Sequence, residues 1–309
     1  MTEFLQGLLS NVNPYILQII VNIGIGIVLA LGLNVITGLT GQLSLGHAAF
    51  MSVGAFTSAL LTIKMGMPIT LNLLITGAVT ALVGALIGYP ILRLTGDYLA
   101  ICTLGFAEIV KVIFLNLDIT NRALGLSVPP ANSAIPMPFV VWGVAILAII
   151  MVSFVYNSRF GRALKAIRGD EIAAEAMGIN VARYKVQSFA LGTFLAGVGG
   201  GLYAHFISYI NPSDFGFLKS IDILSMIVLG GLGSIPGAVI GAGVLSAAPE
   251  FLRFMANYRM LVYGALLVFM MLFRPNGLMG GVNFSDMVLR ALGRKPHLKK
   301  VLENREVGK

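Results

Sequence analysis

"YILQIIVNIGIGIVLALGLNVIT" occupies residues 15–37 and contains no charged side chain. An α-helix needs about 20 apolar residues to cross a bilayer, and this run supplies them. The rest of the chain has the same character, because 57% of its 309 residues are hydrophobic and 11% are charged. Soluble domains carry about 25% charged residues. The sequence therefore predicts an all-α, polytopic transmembrane helical bundle.

Apolar runs of similar length recur along the chain, and two more are interrupted by glycine and polar residues. The interrupted stretches are 41–63 and 219–250. Glycine and proline leave backbone polar groups without a helical hydrogen-bond partner. These groups must then be satisfied by protein or by a water-filled cavity. These two stretches therefore predict broken or re-entrant Gly-rich helices. The uninterrupted predicted spans are 15–37, 69–92, 98–116, 138–156, 186–209 and 256–273.

The net charge of +8 comes largely from two basic regions, 157–185 and 274–309, which hold fourteen of the 21 Lys and Arg residues. Basic segments beside spans stay on the cytoplasmic side, so both regions are predicted to be cytoplasmic, and nucleic acid is not an expected partner. Stretch 219–250 must then begin and end outside. If stretch 41–63 is a broken hairpin, the N-terminus of the chain is cytoplasmic. If it is a full span, the N-terminus of the chain is external.

We divide the chain into a transmembrane domain over residues 1–282 and a basic cytoplasmic tail over 283–309. The tail either lies on the anionic membrane surface or is simply solvated.

The interrupted stretches contain similar segments, "GLTGQLSLGHAAF" at 38–50 and "LGGLGSIPGAVIGA" at 229–242. Paired interrupted helices in two halves of a membrane protein indicate a transport path, although Gly-rich helices also pack closely for structural reasons alone. We favour the path. The residues predicted to line it are Asn34, Gly41, Gln42, Ser44, His47, Gly230, Gly231, Gly233, Ser234 and Pro236.

Other polar residues also fall in or near apolar stretches, where ionisable groups should face the bundle interior or water. They are Asn22, Glu108, Lys111, His205 and Asp222. Glu108 and Lys111 are three residues apart and are predicted to neutralise each other on one helix face. No series of acids and histidines follows the spans, which argues against a proton-coupled pump.

Motifs of common enzymes are absent from the sequence. It has no G-x-x-x-x-G-K-[ST] loop for ATP, no H-E-x-x-H and no G-x-S-x-G, the motifs of P-loop, zinc-protease and hydrolase sites. Its three histidines, His47, His205 and His297, lie far apart. We therefore expect a protein that is not an enzyme and that binds no metal or cofactor of its own.

One charged loop, "RALKAIRGDEIAAEAMGINVARYK" at 162–185, contains a short predicted helix. Asp170 suits the N-cap and Gly178 the position after the C-terminus. So short a helix is marginal alone, but its small apolar face would be stable in a groove of another protein. Its acidic residues oppose binding to the negative inner leaflet. The predicted docking residues are Asp170, Glu171, Ile172, Ala173, Ala174, Glu175, Met177 and Gly178.

The chain resembles the LivH/LivM-type branched-chain amino acid permeases, which are membrane subunits of ABC importers, and most closely the LivM type. The resemblance covers about 30–280 and rests on five ordered motifs. These are "GLNVITGLTGQLSLGHAAFMSVGA", "LRLTGDYLAICTLGFAEIVKVI", "GRALKAIRGDEIAAEAMGINVARYK", "VLGGLGSIPGAVIGA" and "MMLFRPNGLMGG". One departure is that Ile172 stands where the family's EAA pattern has Glu, and Glu171 is shifted by one position.

The resemblance implies an importer in a prokaryotic inner membrane. It would combine this permease with a second permease, two cytoplasmic ATPase subunits that bind ATP and Mg²⁺, and an extracytoplasmic substrate-binding protein. The loop helix would dock on the ATPase. Permeases of the same family carry urea and other small amides, so these remain an alternative substrate class. A secondary transporter driven by an ion gradient remains the alternative from another class.

Overall fold

The computed structural model describes residues 13–129, 135–251, 264, 268 and 277–279. Within them, six helices are long and apolar enough to cross a membrane, which confirms the predicted all-α polytopic bundle. The helices are α1 Pro14–Leu33, α2 His47–Met65, α3 Ile69–Ile91, α4 Asp97–Asn116, α5 Met137–Asn157, α6 Arg159–Gly169, α7 Glu171–Ala176, α8 Val181–Ile207, α9 Phe217–Gly230 and α10 Ile235–Phe251. A π-helical segment, Asn34–Leu39, extends α1.

Five of the predicted spans coincide with α1, α3, α4, α5 and α8. The start of α8 lies five residues before the predicted 186, because the Asn180 side chain accepts a hydrogen bond from the Arg183 N–H and caps the helix there. The predicted span 256–273, apart from residues 264 and 268, and the tail 283–309 lie outside the described residues. The division into domains therefore stays a prediction.

The stretch 41–63 contains one helix rather than a broken hairpin. Residues 41–46 have no helical or strand structure, and α2 begins at His47 and continues to Met65. This favours the full span of the two alternatives.

The stretch 219–250 is a hairpin of α9 and α10. Gly230 lies against Gly237, and the Met226 carbonyl lies against Gly241, so the two helices run in opposite directions. Gly231 and Gly233 between them have φ of 114° and 82°, a region that glycine adopts at little cost. The hairpin begins and ends on the same side of the bundle, as the sequence predicted.

Helix α8 packs between α2 and α3 by means of small residues. A Cβ atom at Gly54 of α2 would overlap the backbone of Gly197 of α8, and one at Gly84 of α3 would overlap the Thr193 side chain. Small residues at such spacing let helix backbones approach closely. Gly54 and Gly84 therefore allow α2 and α3 to approach α8 closely.

The two ends of the bundle are built differently. At one end a two-stranded antiparallel sheet, β1 Leu126–Ser127 and β2 Tyr209–Ile210, joins the loop after α4 to the end of α8. At the other end lie α6 and α7, between α5 and α8. We call these the strand end and the loop end. Helix α1 runs between them at the centre, and residues 24–40 are all buried.

Candidate coupling helix and transport path

The short helix α7 begins with a side-chain cap. The Asp170 carboxylate accepts hydrogen bonds from the backbone N–H groups of Ile172, at 2.9 Å, and Ala173, at 3.0 Å. An aspartate in this position satisfies N–H groups that have no partner inside the helix. The N-cap predicted at Asp170 is confirmed.

The helix ends in a turn that Gly178 makes possible. The Gly178 N–H donates to the Glu175 carbonyl at 2.9 Å, and the Ile179 N–H donates to the Ala174 carbonyl at 3.1 Å. These two bonds form a Schellman motif, which places its glycine in the left-handed region. Gly178 has φ of 84°. The predicted stop is therefore confirmed, and α7 has six residues because Met177 already belongs to the turn.

One face of α7 is apolar and exposed. Ala174 is buried against the bundle, while Ile172 and Met177 are 81% and 83% exposed. Ala173 and Ala176 are exposed beside them. Ile172 and Met177 therefore place two large apolar side chains next to each other on an exposed surface.

Glu171 does not belong to this exposed face. Its carboxylate lies 2.6 Å from the ammonium of Lys185 in α8, whose side chain is 4% exposed. Glu171 therefore holds α7 against α8. Sequence reasoning placed Lys185 only in a basic loop, and no motif indicated that it is a buried partner of Glu171.

The basic helix α6 is anchored on α5. The Lys165 ammonium lies 3.2 Å from the centre of the Tyr156 ring and donates to the Tyr156 carbonyl at 3.3 Å. Burial, followed by the positive charge of Arg162, lowers the pKa of Lys165. A cation over an aromatic face is attracted to it, so this contact fixes the orientation of α6.

Arg168, near the end of α6, reaches the loop end of α1. Its guanidinium donates a hydrogen bond to the Gly38 carbonyl and lies beside Gly233 in the turn between α9 and α10. Carbonyls at a helix C-terminus lack intrahelical donors and favour cations. Arg168 thus connects the loop that carries α7 to both interrupted stretches. Sequence reasoning missed this role because Arg168 was one of several basic residues.

Asn34 joins the π-helical segment to the turn between α9 and α10 by its side chain. Its Oδ1 accepts from the Gly233 N–H at 2.9 Å, and its Nδ2 donates to the Ser234 carbonyl at 3.3 Å. Asn34 is also the first residue of the π-helical segment, and such segments are frequent at functional sites. The structure therefore brings together three residues predicted for the path, at the loop end.

The segment 41–46 returns into the bundle and carries further predicted path residues. Gly41 lies against Arg168, whereas Gln42 and Ser44 are buried. Among the described residues, the Gln42 amide and the Ser44 hydroxyl have no hydrogen-bond partner. His47 follows at the start of α2, fully buried beside Gly32. Buried polar groups are normally paired, so Gln42 and Ser44 are suited to bind water or a passing polar group.

The other predicted path residues form the turn between α9 and α10. The backbone of Gly277 lies against Gly231. The N–H groups of Leu278 and Met279 donate to the carbonyls of Leu229 and Gly230 at 2.8 and 3.0 Å. Pro236 is the second residue of α10, where a missing N–H costs nothing. Gly230, Gly231 and Pro236 therefore have a structural explanation.

A cavity of about 350 Å³ lies near the strand end, between α1, α2, α8, α9 and α10. Its polar lining residues are Asn22, Tyr203, Lys219, Asp222 and Ser246. Sequence reasoning noted Asn22 and Asp222 as polar residues in apolar stretches. It did not bring them together, because they are about 200 residues apart in the sequence.

Several other polar residues of the spans form pairs. Lys111 lies 3.3 Å from Glu108, which confirms the predicted ion pair. The His205 Nε2 lies 3.1 Å from the Ser58 hydroxyl and 3.3 Å from that of Thr62. Within the described residues, no group of three or more His, Cys, Asp and Glu side chains is placed to hold a metal ion.

The family model described as "Branched-chain amino acid transport system / permease component" matches residues 15–271. The chain belongs to this permease family. It is 37% identical over 285 residues to the high-affinity branched-chain amino acid transport system permease protein LivM of Salmonella typhimurium and to that of Escherichia coli K12, covering 82% of this chain and 67% of each relative. It is 28% identical over 282 residues to LivH of Escherichia coli K12, covering 82% of this chain and 90% of that protein.

This membership confirms the resemblance inferred from the five motifs, including the closeness to LivM. The six long apolar helices and the permease relatives identify a multi-pass membrane protein. No solved structure matches the chain.

Proposed function

We propose that the chain is the transmembrane permease subunit of an ATP-driven ABC importer for branched-chain and other hydrophobic amino acids. Family membership and the names of the relatives support the substrate class. The observation that carries the coupling is the position of Arg168. It lies next to α7 in the chain, contacts both interrupted stretches, at Gly41 and Gly233, and donates a hydrogen bond to the Gly38 carbonyl.

In this proposal, an ATPase subunit covers the exposed face of α7, with Ile172 and Met177 in its groove. ATP and Mg²⁺ are bound by that partner, and the permease chain performs no hydrolysis. When the partner moves α7, the Glu171–Lys185 pair keeps α7 attached to α8, while α6 shifts Arg168. The contacts of Arg168 and Asn34 at the loop end then open or close together.

The basic loop 157–185 gives the orientation of the proposed subunit. It faces the cytoplasm of a prokaryote, by the positive-inside rule, and so does the basic C-terminal tail. Because α2 is a full span, the N-terminus then lies outside. The strand end faces the extracytoplasmic substrate-binding protein, and a second permease, with LivH-like sequence, completes the membrane domain. The LivM and LivH relatives, both named as permease proteins of the same kind of transport system, support the second permease.

The test of coupling is a pair of substitutions at Ile172, which is exposed and supports no intramolecular packing. Ile172→Asp introduces a charge that an apolar groove rejects, and Ile172→Leu preserves the apolar contact. We expect Ile172→Asp to insert normally but to lose at least about tenfold in ATPase co-purification and in uptake, because burying an unpaired charge costs more than 1.4 kcal/mol. Normal co-purification of Ile172→Asp would refute the docking role.

The substrate class is tested by competition. Uptake of labelled leucine by cells that express the complete transporter is measured with excess isoleucine, valine or urea. We expect isoleucine and valine to compete and urea to have no effect. Competition by urea without competition by valine would instead support a permease for small amides.

A further inference from the structure

The cavity near the strand end has a polar mouth and an apolar floor. On α1, Asn22, Ile25 and Leu29 line it, and on α9, Lys219, Asp222, Ile223 and Met226 do. These positions follow the three- and four-residue spacing of one helix face. The polar members lie nearer the strand end on both helices, because α1 runs away from that end and so does α9. A ligand would therefore meet charge first and hydrocarbon below it.

The two charged groups at the mouth, Lys219 and Asp222, do not form an ion pair with each other. Lys219 and Asp222 are three residues apart on α9, the same spacing as Glu108 and Lys111 on α4. The α4 pair closes to 3.3 Å, whereas no ion pair within 4 Å joins Lys219 and Asp222, and no described residue pairs with Asp222. A charged group inside a membrane protein is costly when unpaired and is usually functional.

The Lys219 ammonium lies 5.4 Å from the centre of the Tyr203 ring. Tyr203 also lines the cavity, as does Ser246 opposite, on α10. These groups keep the ammonium within the mouth of the cavity while leaving its hydrogen-bond donors available. The cavity thus presents a cation, an anion and several neutral hydrogen-bonding groups around one opening.

The apolar floor is formed by aliphatic and thioether side chains. Leu29 and Ile223 are buried, and Met51 and Met226 line the same cavity. Methionine is flexible and adapts to apolar ligands of different shape. The volume of about 350 Å³ lies within the range of small-molecule sites, roughly 300 to 1,000 Å³.

We infer that this cavity binds the transported amino acid as a zwitterion, with Lys219 on its carboxylate, Asp222 on its ammonium and its aliphatic side chain on the Leu29 and Met226 floor. The inference rests on the proposed function and assigns that function a substrate site in the permease chain itself. Both charges of the ligand are then neutralised, which a neutral amide such as urea would not require.

The cavity lies apart from the contacts at the loop end. Asn22 at its mouth and Asn34 at the loop end are twelve residues apart on α1, or about 18 Å at 1.5 Å per residue. The side chain of Asn34 bridges to Gly233 and Ser234. The cavity near the strand end is therefore separated along α1 from the contacts of Asn34 and Arg168 at the loop end.

The test uses the complete transporter in proteoliposomes, with its binding protein and labelled L-leucine. Leucine imported and ATP hydrolysed are measured together for Lys219→Gln and Asp222→Asn. The matched controls are Lys111→Gln and Glu108→Gln, which remove the same charges at the same spacing on α4. All variants are first checked for expression and for elution as an intact complex.

We expect binding-protein-stimulated ATP hydrolysis to persist in Lys219→Gln and Asp222→Asn, while leucine imported per ATP falls by roughly tenfold, the value of one charge-assisted contact. The α4 controls should keep the wild-type ratio. An unchanged ratio in both cavity variants, or an equal fall in the controls, would overturn the site. A wild-type transporter that shows neither hydrolysis nor uptake would instead refute the proposed function.

Discussion

The Lys185 ammonium lies 2.6 Å from the Glu171 carboxylate, and the Lys185 side chain is 4% exposed. This pair joins α8, a membrane span, to α7, the helix that we propose docks on the ATPase. Glu171 itself is 41% exposed, but removing its carboxylate is costly, because the Lys185 charge then stays buried without compensation. Glu171 is therefore a positioning residue, whereas the neighbouring Ile172 is exposed.

Glu171→Gln should lower the free energy of unfolding by about 1–3 kcal/mol and loosen α7, because the buried ammonium loses its counter-charge. Thermal unfolding measures the first effect, and amide hydrogen exchange at Ile172 and Ala173 measures the second. The matched control is Glu175→Gln, an exposed acid of the same helix that has no ion pair among the described residues. Equal effects of both substitutions would show that the pair does not hold α7.

Arg168→Ala should uncouple the transporter, because it removes the link between α6 and the breaks at Gly38 and Gly233. We expect ATP hydrolysis to continue in Arg168→Ala while leucine uptake falls. Arg168→Lys should retain part of the uptake, since Lys keeps the positive charge but lacks the planar set of N–H donors of the guanidinium. Uptake and hydrolysis are measured on the same vesicles. Wild-type uptake by Arg168→Ala would contradict this role.

Asn34→Leu should weaken the closure at the loop end, because the Gly233 N–H and the Ser234 carbonyl both lose a partner. Leaving buried groups unpaired costs about 1–3 kcal/mol. We expect a lower unfolding temperature and leucine leakage without ATP. The control is Asn157→Leu, since the side-chain amide of Asn157 bonds, within the described residues, only to the Ser153 carbonyl of its own helix. If Asn34→Leu neither leaked leucine nor changed the unfolding temperature, Asn34 would not be part of the closure.

Gly54→Ala should destabilise the bundle, because its new Cβ would meet the backbone of Gly197, which cannot move like a side chain. Overpacking of this kind costs about 1–3 kcal/mol. Gly143→Ala on α5 is the control, since nothing lies within 4 Å of the added atom and alanine favours a helix over glycine. Thermal unfolding should show a lower unfolding temperature for Gly54→Ala than for Gly143→Ala. An equal or higher stability of Gly54→Ala would contradict the close packing of Gly54 on Gly197.

Much of the fold could be predicted from local pattern. The long apolar runs indicated α1, α3, α4, α5 and α8, and glycine placement indicated the α9–α10 turn and the stop at Gly178. These features depend on residues close in sequence. The pairs Glu171–Lys185, Arg168–Gly38 and Asn34–Gly233 depend instead on how the helices pack, and no spacing rule connects them. The cavity was missed for the same reason, since Asn22 and Asp222 meet only in the folded bundle.

The direct test of the central claim is leucine uptake by proteoliposomes that hold this permease with its second permease and ATPase subunits. Binding protein and labelled leucine are added outside, with or without ATP inside and with or without an ion gradient. We predict uptake that requires internal ATP and is unaffected by collapse of the gradient. Uptake that follows the gradient and ignores ATP would contradict it.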